Sequence, residues 1–246
     1  MAKVLILGGT GIARAFSRLV ANQPGLEGLI SLAGRTIRPA AQPLPVRRGG
    51  FGGARGLEEF LRVGEYDALV DATHAFAQRI SVNAANAATA AGVPRLCLLR
   101  PAWVAGDGDN WRWGADEAEA AGALPDGARA LLALGAGRLE AFAELYGVWR
   151  LVRVVDPPVA PVLLGPHRFI LGRGPFSVED EADLMARHRI SHIVCRNSGT
   201  RGAQAKLEAA RVAQIPVIMI APPPLPPAPR VSDPQAAMDW LLTTLS

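Results

Sequence analysis

Strand-like apolar runs and helix-spaced apolar residues alternate from one end of the chain to the other. Val4 to Leu7 is an unbroken apolar run, the pattern of a strand covered on both faces. Beyond a glycine turn, Ile12, Phe16, Leu19 and Val20 recur on one helical face. The same reading predicts a strand over 28–32, a weaker edge-like strand over 43–48 and a short helix over 57–63. A strand over 68–70 ends at Asp71, an alanine-rich helix covers 76–91, and a strand over 95–99 closes this half.

Residues 100–124 break the rhythm with Pro101, the turn Gly106-Asp107-Gly108-Asp109 and three tryptophans, Trp103, Trp111 and Trp113. A connection of that kind links domains or lines a cleft. The alternation then resumes, with strands over 130–134, 149–155, 168–171, 192–196 and 217–220 and helices over 138–146, 177–189 and 202–213. Ser177 and Asp180 have the spacing of a capping box. The proline-rich stretch 222–229 is stiff and extended, and Asp233-Pro234 opens a last helix whose apolar face is Met238, Leu241, Leu242 and Leu245. Alternation of this type belongs to sheets with helices on both faces. The expected fold is α/β: two consecutive Rossmann-like domains with mainly parallel sheets, 1–124 and 125–246, and a cleft between them.

Composition narrows the setting. Half of the 246 residues are hydrophobic, yet no apolar run approaches the ~20 residues of a membrane-spanning helix. Met1-Ala2-Lys3 leads straight into the first strand, unlike a secretory signal. Cys97 and Cys195 sit far apart inside apolar runs and read as buried free thiols, with no disulfide or metal framework. A cytoplasmic protein without a metal is the expectation. The net charge is +4, and all basic residues but Lys3 and Lys206 are arginine. A general preference for arginine accounts for much of this, but guanidinium groups also suit an anionic ligand. The arginines are scattered and no nucleic-acid-binding signature accompanies them, so nucleic acid is not expected.

In open α/β sheets ligands lie beyond the carboxyl ends of strands, so the residues after each strand carry the chemistry. After the first come Gly8-Gly9-Thr10-Gly11-Ile12-Ala13-Arg14. Glycines there let backbone N–H groups approach a pyrophosphate at a helix N-terminus, although Arg14 stands where a third glycine would complete G-x-G-x-x-G. After the second come Gly34-Arg35-Thr36, with no carboxylate for a ribose hydroxyl but donors suited to a 2′-phosphate, which favours NADPH over NADH. After the fourth come Asp71-Ala72-Thr73-His74-Ala75-Phe76-Ala77, small residues with polar groups at Thr73 and His74 near the expected nicotinamide. The second half offers Gly135-Ala136-Gly137-Arg138 at a helix start, then Gly172-Arg173-Gly174-Pro175-Phe176-Ser177 and Arg196-Asn197-Ser198-Gly199-Thr200-Arg201-Gly202. Any one of these could be an ordinary βα turn. Three donor-rich loops facing one cleft point to a large polyanionic substrate.

Gly8-Gly9-Thr10 with Ala13-Arg14, the Asp71–Ala77 block, Gly174-Pro175-Phe176-Ser177, Asn197-Ser198-Gly199 followed by Lys206, and Pro216-Val217-Ile218 occur in that order. Together they resemble the precorrin-6A reductase family of cobalamin biosynthesis, over about residues 3–220. The resemblance implies NADPH-dependent reduction of one double bond of an anionic tetrapyrrole, a hydride going to one carbon and a proton to its neighbour. With the strand-end reading of Arg35 and Thr36, it makes Gly8, Gly9, Thr10, Gly11, Ile12, Ala13, Arg35, Thr36, Asp71, Ala72, Thr73 and His74 the residues expected to face the cofactor. It places Phe76, Arg138, Arg173, Gly174, Pro175, Phe176, Ser177, Arg196, Asn197, Ser198, Gly199, Arg201 and Lys206 toward the substrate, with His74 as proton donor or orienter. The chain departs from the family pattern at Ile12, often acidic or small, at Arg196-Asn197, usually Lys-acidic, and at Ala221-Pro222, usually Arg-Pro.

Three alternatives stay open to different degrees. A cobalt-containing macrocycle is used by similar reductases. A non-catalytic NADPH sensor would bind cofactor without turnover. A short-chain dehydrogenase or epimerase needs Tyr-x-x-x-Lys, whereas Tyr146 is followed four positions later by Arg150. The oligomeric state is open.

Overall fold

The computed structural model describes residues 1–34, 40–158 and 163–246, so Arg35 and Thr36 lie outside the described residues. The chain forms two units, residues 1–101 with 223–246, and residues 102–222. The first begins with β1 (Ala2–Leu7), α1 (Gly11–Asn22), β2 (Leu26–Leu32), β3 (Val46–Arg48), α2 (Ala54–Val63), β4 (Ala68–Asp71), α3 (Gln78–Ala91) and β5 (Arg95–Leu98). β1 pairs in parallel with β2 on one side and β4 on the other, and β3 and β5 extend the sheet outward. The run Val4–Leu7 is apolar throughout because both of its faces are covered. Val4 and Ile6 pack with Phe16 and Val20 of α1, while Leu5 and Leu7 pack with Leu57, Leu61 and Ala84 of α2 and α3.

The second unit contains β6 (Trp111–Gly114), α4 (Glu117–Gly122), β7 (Arg129–Ala133), β8 (Trp149–Val154), β9 (His167–Leu171), α5 (Val178–His188), β10 (His192–Arg196), α6 (Ala205–Val212) and β11 (Val217–Ile220). Its strands lie in the order β6-β11-β10-β7-β8-β9, all parallel. Starting at β7 the chain winds outward through β8 and β9, crosses back, and winds outward again through β10 and β11, as it does from β1 in the first unit.

After β11 the chain returns to the first unit. β12 (Arg230–Val231) pairs with β5, and α7 (Pro234–Leu245) follows. The first sheet therefore reads β3-β2-β1-β4-β5-β12, the doubly wound dinucleotide-binding order. This corrects the expected division into 1–124 and 125–246: the second unit starts at Ala102, and the last helix belongs to the first. The reason is its apolar face, since Met238 and Leu241 enter the cluster that holds Phe16 and Val20 of α1.

The expected helix over 138–146 is also corrected. Two short 3₁₀ turns, Ala136–Arg138 and Glu140–Phe142, stand there instead. Gly137 leaves helical geometry, and the fully buried Arg150 on β8 donates to the Phe142 carbonyl. That acceptor would have bonded the N–H of Tyr146 in a continuing helix; Tyr146 N–H bonds the Glu144 carbonyl instead. β6 and α4 lie in the stretch read only as a break.

Candidate functional site

The direction of winding in the first unit reverses between β1 and β4, so their carboxyl ends frame its ligand crevice. Gly8 leaves β1 pressed against β2; a Cβ on it would lie 2.6 Å from Ile30 Cδ1. Gly9 takes φ +109°, a conformation that favours glycine, and a Cβ on Gly11 would meet nothing within 4 Å. Thr10 caps α1: its Oγ1 accepts from Ala13 N–H at 3.1 Å and donates to the Ala72 carbonyl at 2.8 Å. One hydroxyl thus ties the β1 turn to the β4 turn across the switch point. Ile12 and Ala13 point into the core, so only their backbone can serve a ligand. The first turn of α1 carries no acidic residue to compete with an anion for the helix end.

The β4 turn is built on Asp71, which is buried. Its Oδ1 accepts from Thr73 N–H at 3.2 Å and Thr73 Oγ1 at 2.7 Å, and Thr73 Oγ1 lies 3.5 Å from Ser81 Oγ on α3. Asp71 Oδ2 is buried without a hydrogen bond among the described residues. Ala72 and Ala75 are buried, while His74 is exposed. Phe76 N–H donates to His74 Nδ1 at 3.3 Å, and the two rings lie 5.8 Å apart. With Nδ1 accepting, a neutral His74 carries its proton on Nε2. The glycine turn and the Asp71–Phe76 turn are thereby brought together.

In the second unit, β7 and β10 frame the corresponding switch point. The turn after β7 is a three-residue 3₁₀ segment rather than the start of a long helix, which removes the helix end expected to hold an anion there. Arg138 lies 3.9 Å from Glu117 Oε2, and Arg196 gives Nε and Nη2 to Glu117 Oε1 at 3.1 and 2.8 Å. Glu117 on α4 therefore neutralises charge expected to meet substrate, and no sequence motif marked it. Asn197 is buried and spends its amide on one residue: Oδ1 accepts from Trp103 N–H at 2.6 Å and Nδ2 donates to the Trp103 carbonyl at 2.8 Å. Lys206, also buried, donates to the Ala203 carbonyl at 2.6 Å, with its ammonium 5.4 Å from the Trp103 ring centre. Burial pushes its amine below the ordinary lysine value, while the Cys195 thiol and the Glu181 carboxylate push back. Asn197 and Lys206 thus anchor Trp103. Ser198 and Gly199 remain on the turn, where Ser198 Oγ donates to Thr200 Oγ1 at 3.2 Å, and Arg201 is exposed just beyond.

After β9, Gly172 and Gly174 leave space that the Phe176 ring fills, since a Cβ on Gly172 would come within 2.9 Å of it. The Gly174-Pro175 peptide is cis. Arg153 of β8 lies over the Phe176 ring at 4.4 Å and forms a two-pronged pair with Glu181 at 2.6 and 2.7 Å. Ser177 caps α5 in the expected capping box with Asp180. Arg173 stands on the exposed part of this loop. Among the described residues, no group of three His, Cys, Asp or Glu side chains could hold a metal, and no helix is long and apolar enough to cross a membrane.

Two parallel sheets that wind alike over five of their six strands, the first with a glycine turn and a helix end at its switch point, define a Rossmann-type α/β protein of two units. The model of the family Precorrin-6x reductase CbiJ/CobK matches residues 3–242. A Precorrin-6A reductase of Rhodococcus erythropolis is 49% identical over 246 residues, 99% of this chain and 98% of its own. Another of the same name, from Rhodobacter capsulatus, is 41% identical over 242 residues, 98% of this chain and 96% of its own. A solved structure titled "CobK precorrin-6A reductase" is 40% identical, covers 99% of this chain and 97% of its own, and superposes with a TM-score of 0.94. The chain belongs to the precorrin-6x reductase family.

Proposed function

We infer that this protein is a precorrin-6A reductase of cobalamin biosynthesis, an oxidoreductase that uses NADPH to reduce one double bond of precorrin-6A and give precorrin-6B. The observation that carries the reading is likeness over the whole length: a relative named for this activity shares 49% of its residues across 99% of this chain.

The first unit suits the cofactor. Glycine backbone at 8, 9 and 11, the helix end capped by Thr10, and a first turn free of carboxylates make a donor set for a pyrophosphate. Segment 33–50 contains no acidic residue and carries Arg35, Arg38, Arg47 and Arg48, which favours a 2′-phosphate over a free ribose hydroxyl. Arg47 is occupied with the carbonyls of Gly49 and Gly50. Arg48 ends β3, whose last residue pairs with the last residue of β2. When bound, NADPH supplies the hydride.

The chain's own contribution is orientation and a proton. Thr10 and Asp71 fix the two turns, and Ala72 and Ala75 keep the β4 turn narrow enough for close approach. His74 stands exposed, and once its ring takes a second proton from solvent and Nδ1 gives up the Phe76 N–H, the imidazolium can donate from Nε2 to the carbon next to the one that receives hydride. The second unit receives the anionic tetrapyrrole on the turns carrying Arg173 to Ser177 and Ser198 to Arg201, with Arg138 and Arg196 sharing Glu117. Asn197 and Lys206 act from behind, by holding Trp103.

The experiment is a matrix of turnover assays, metal-free against cobalt-containing macrocycle and NADPH against NADH. Oxidation of NADPH in step with loss of precorrin-6A supports the reading. Turnover of the cobalt compound alone would move the assignment to its counterpart. Cofactor binding without turnover of either would leave a sensor.

A further inference from the structure

The edge of the second sheet holds a cavity that the reading above does not use. β9 is the edge strand of the sheet and shares the cavity with α5. Arg168 stands opposite Leu151 and Ile170 opposite Arg153 in the β8–β9 register, and both β8 residues face α5, Leu151 through the core shared with Met185 and Arg153 through Glu181. Arg168 and Ile170 therefore face the same side; Ile170 packs against the core that holds Met185, and Arg168 is exposed beyond it. The resulting groove between β9 and α5 has a volume of about 350 Å³. That suits a small molecule or one arm of a larger one, and is too small for a tetrapyrrole ring.

Its lining is unequal in charge. Arg153 and Glu181 cancel as a buried pair, and the Asp180 carboxylate, which accepts from the Ser177 N–H, keeps its negative charge and offsets one of the two arginines left in the lining. Arg168 and Arg187 remain, both exposed and neither in an ion pair among the described residues. Their field reaches His188 on the same wall, whose imidazole is held below its ordinary value by burial and then by Arg168, Arg187 and Arg129. Ile170 from β9 and Leu184 from α5 add apolar surface to the lining. Guanidinium forks and apolar side chains lining one groove match a carboxylate on a short hydrocarbon chain better than a bare inorganic ion.

We propose that the groove between β9 and α5 is a binding site for a carboxylate carried on a short apolar chain, gripped by Arg168 and Arg187. Two sources share that chemistry. One is an acid side arm of the macrocycle, entering from the Gly172–Phe176 turn, and this version rests on the reductase reading. The other is a free small carboxylate.

The test uses the full chain and the double variant Arg168→Gln/Arg187→Gln, with Leu184→Glu as a second variant that puts a carboxylate into the same space. Arg168 and Arg187 are exposed, so the melt of the double variant should match the unaltered protein, whereas Leu184 packs against the core and Leu184→Glu is read only in protein that its melt shows to be folded. Glutarate serves as the free probe, followed by the His188 ring resonances. If the groove takes a substrate arm, KM for the macrocycle rises about tenfold in both variants while kcat and NADPH affinity stay unchanged. If it takes a free ligand, KM is unchanged, but glutarate shifts His188 saturably in the unaltered protein and in neither variant. Unchanged KM together with no saturable shift overturns the proposal. Should the unaltered protein reduce no macrocycle, the reductase reading fails and the glutarate titration alone decides this one.

Discussion

The Thr10 hydroxyl donates to the Ala72 carbonyl at 2.8 Å while accepting from Ala13 N–H at 3.1 Å, so one side chain closes the start of α1 and joins it to the turn after β4. Both bonds lie at the point where the sheet reverses its winding. Thr10→Val keeps the shape and removes both. We expect a loss of about 1 kcal/mol in stability, as for a lost helix cap, and a several-fold weaker NADPH affinity; Thr10→Ser restores both. Cofactor titration by fluorescence checks this, and undiminished affinity in the valine variant would separate the hydroxyl from cofactor binding.

Gly9 is a backbone requirement rather than a packing one. Its φ is +109° and a Cβ would meet nothing within 4 Å, so Gly9→Ala costs conformational strain without a clash, of order 1–3 kcal/mol. At the loop proposed to meet the pyrophosphate, this should raise the Kd for NADPH about tenfold or more and leave the second unit's folding untouched. Calorimetric titration reads the first effect; equal affinities would mean that the turn adapts freely.

Arg153 and Glu181 form a buried two-pronged pair whose side chains are 12% and 2% exposed. Glu181→Gln leaves a guanidinium unpaired in that setting and should cost about 3–5 kcal/mol. Replacing both, Arg153→Met with Glu181→Leu, should recover most of that loss. Chemical unfolding of the whole chain measures both, and a single variant as stable as the double would show that the pair holds nothing together.

Lys206 has a pH signature. Burial lowers its folded value below the unfolded 10.5, so between the two the unfolded chain binds more protons and stability rises with pH. The contribution is complete above 10.5 and is lost as pH falls through the lowered value. Cys195, raised from 9.0 by burial, acts in the opposite direction above that pH. The informative quantity is therefore the difference between the protein and Lys206→Met, whose stability should lack the lysine slope. Parallel stability–pH curves would contradict the assignment.

Much of this was legible in the sequence because it is written in local periodicity. The covered strand Val4–Leu7, the helix from Gly11, the Ser177–Asp180 box and the final helix all follow from spacing and caps. The elements that escaped depend on distant partners. β12 is two residues long and exists only by pairing with β5, and α7 joins the first unit because its apolar face completes the core around Phe16. The helix expected over 138–146 is displaced by Arg150, eight positions beyond Phe142, which takes a carbonyl the helix needed. At the site the glycine turn and the Asp71 block were visible as motifs. That Asn197 grips Trp103, or that Glu117 neutralises Arg196, was not, because nothing in the spacing of those residues encodes a contact across 94 or 79 positions.

The proposed preference for a 2′-phosphate rests on Arg35, between β2 and β3, and on Arg48, which ends β3. Arg48→Gln should weaken NADPH several-fold and leave NADH unchanged, and Arg35→Gln should do the same if its loop meets the 2′-phosphate. Paired affinity measurements for the two cofactors decide it; equal losses for both would place the arginines elsewhere.

The central claim is that this chain moves a hydride from NADPH onto precorrin-6A. It is tested most directly with NADPH deuterated at the transferable position, in ordinary water, with the product examined by mass and by NMR. The account predicts a macrocycle heavier by one deuterium and one proton, the deuterium at a single carbon, formed in equal amount to the NADP. A macrocycle recovered unchanged, or reduced without deuterium, would contradict it.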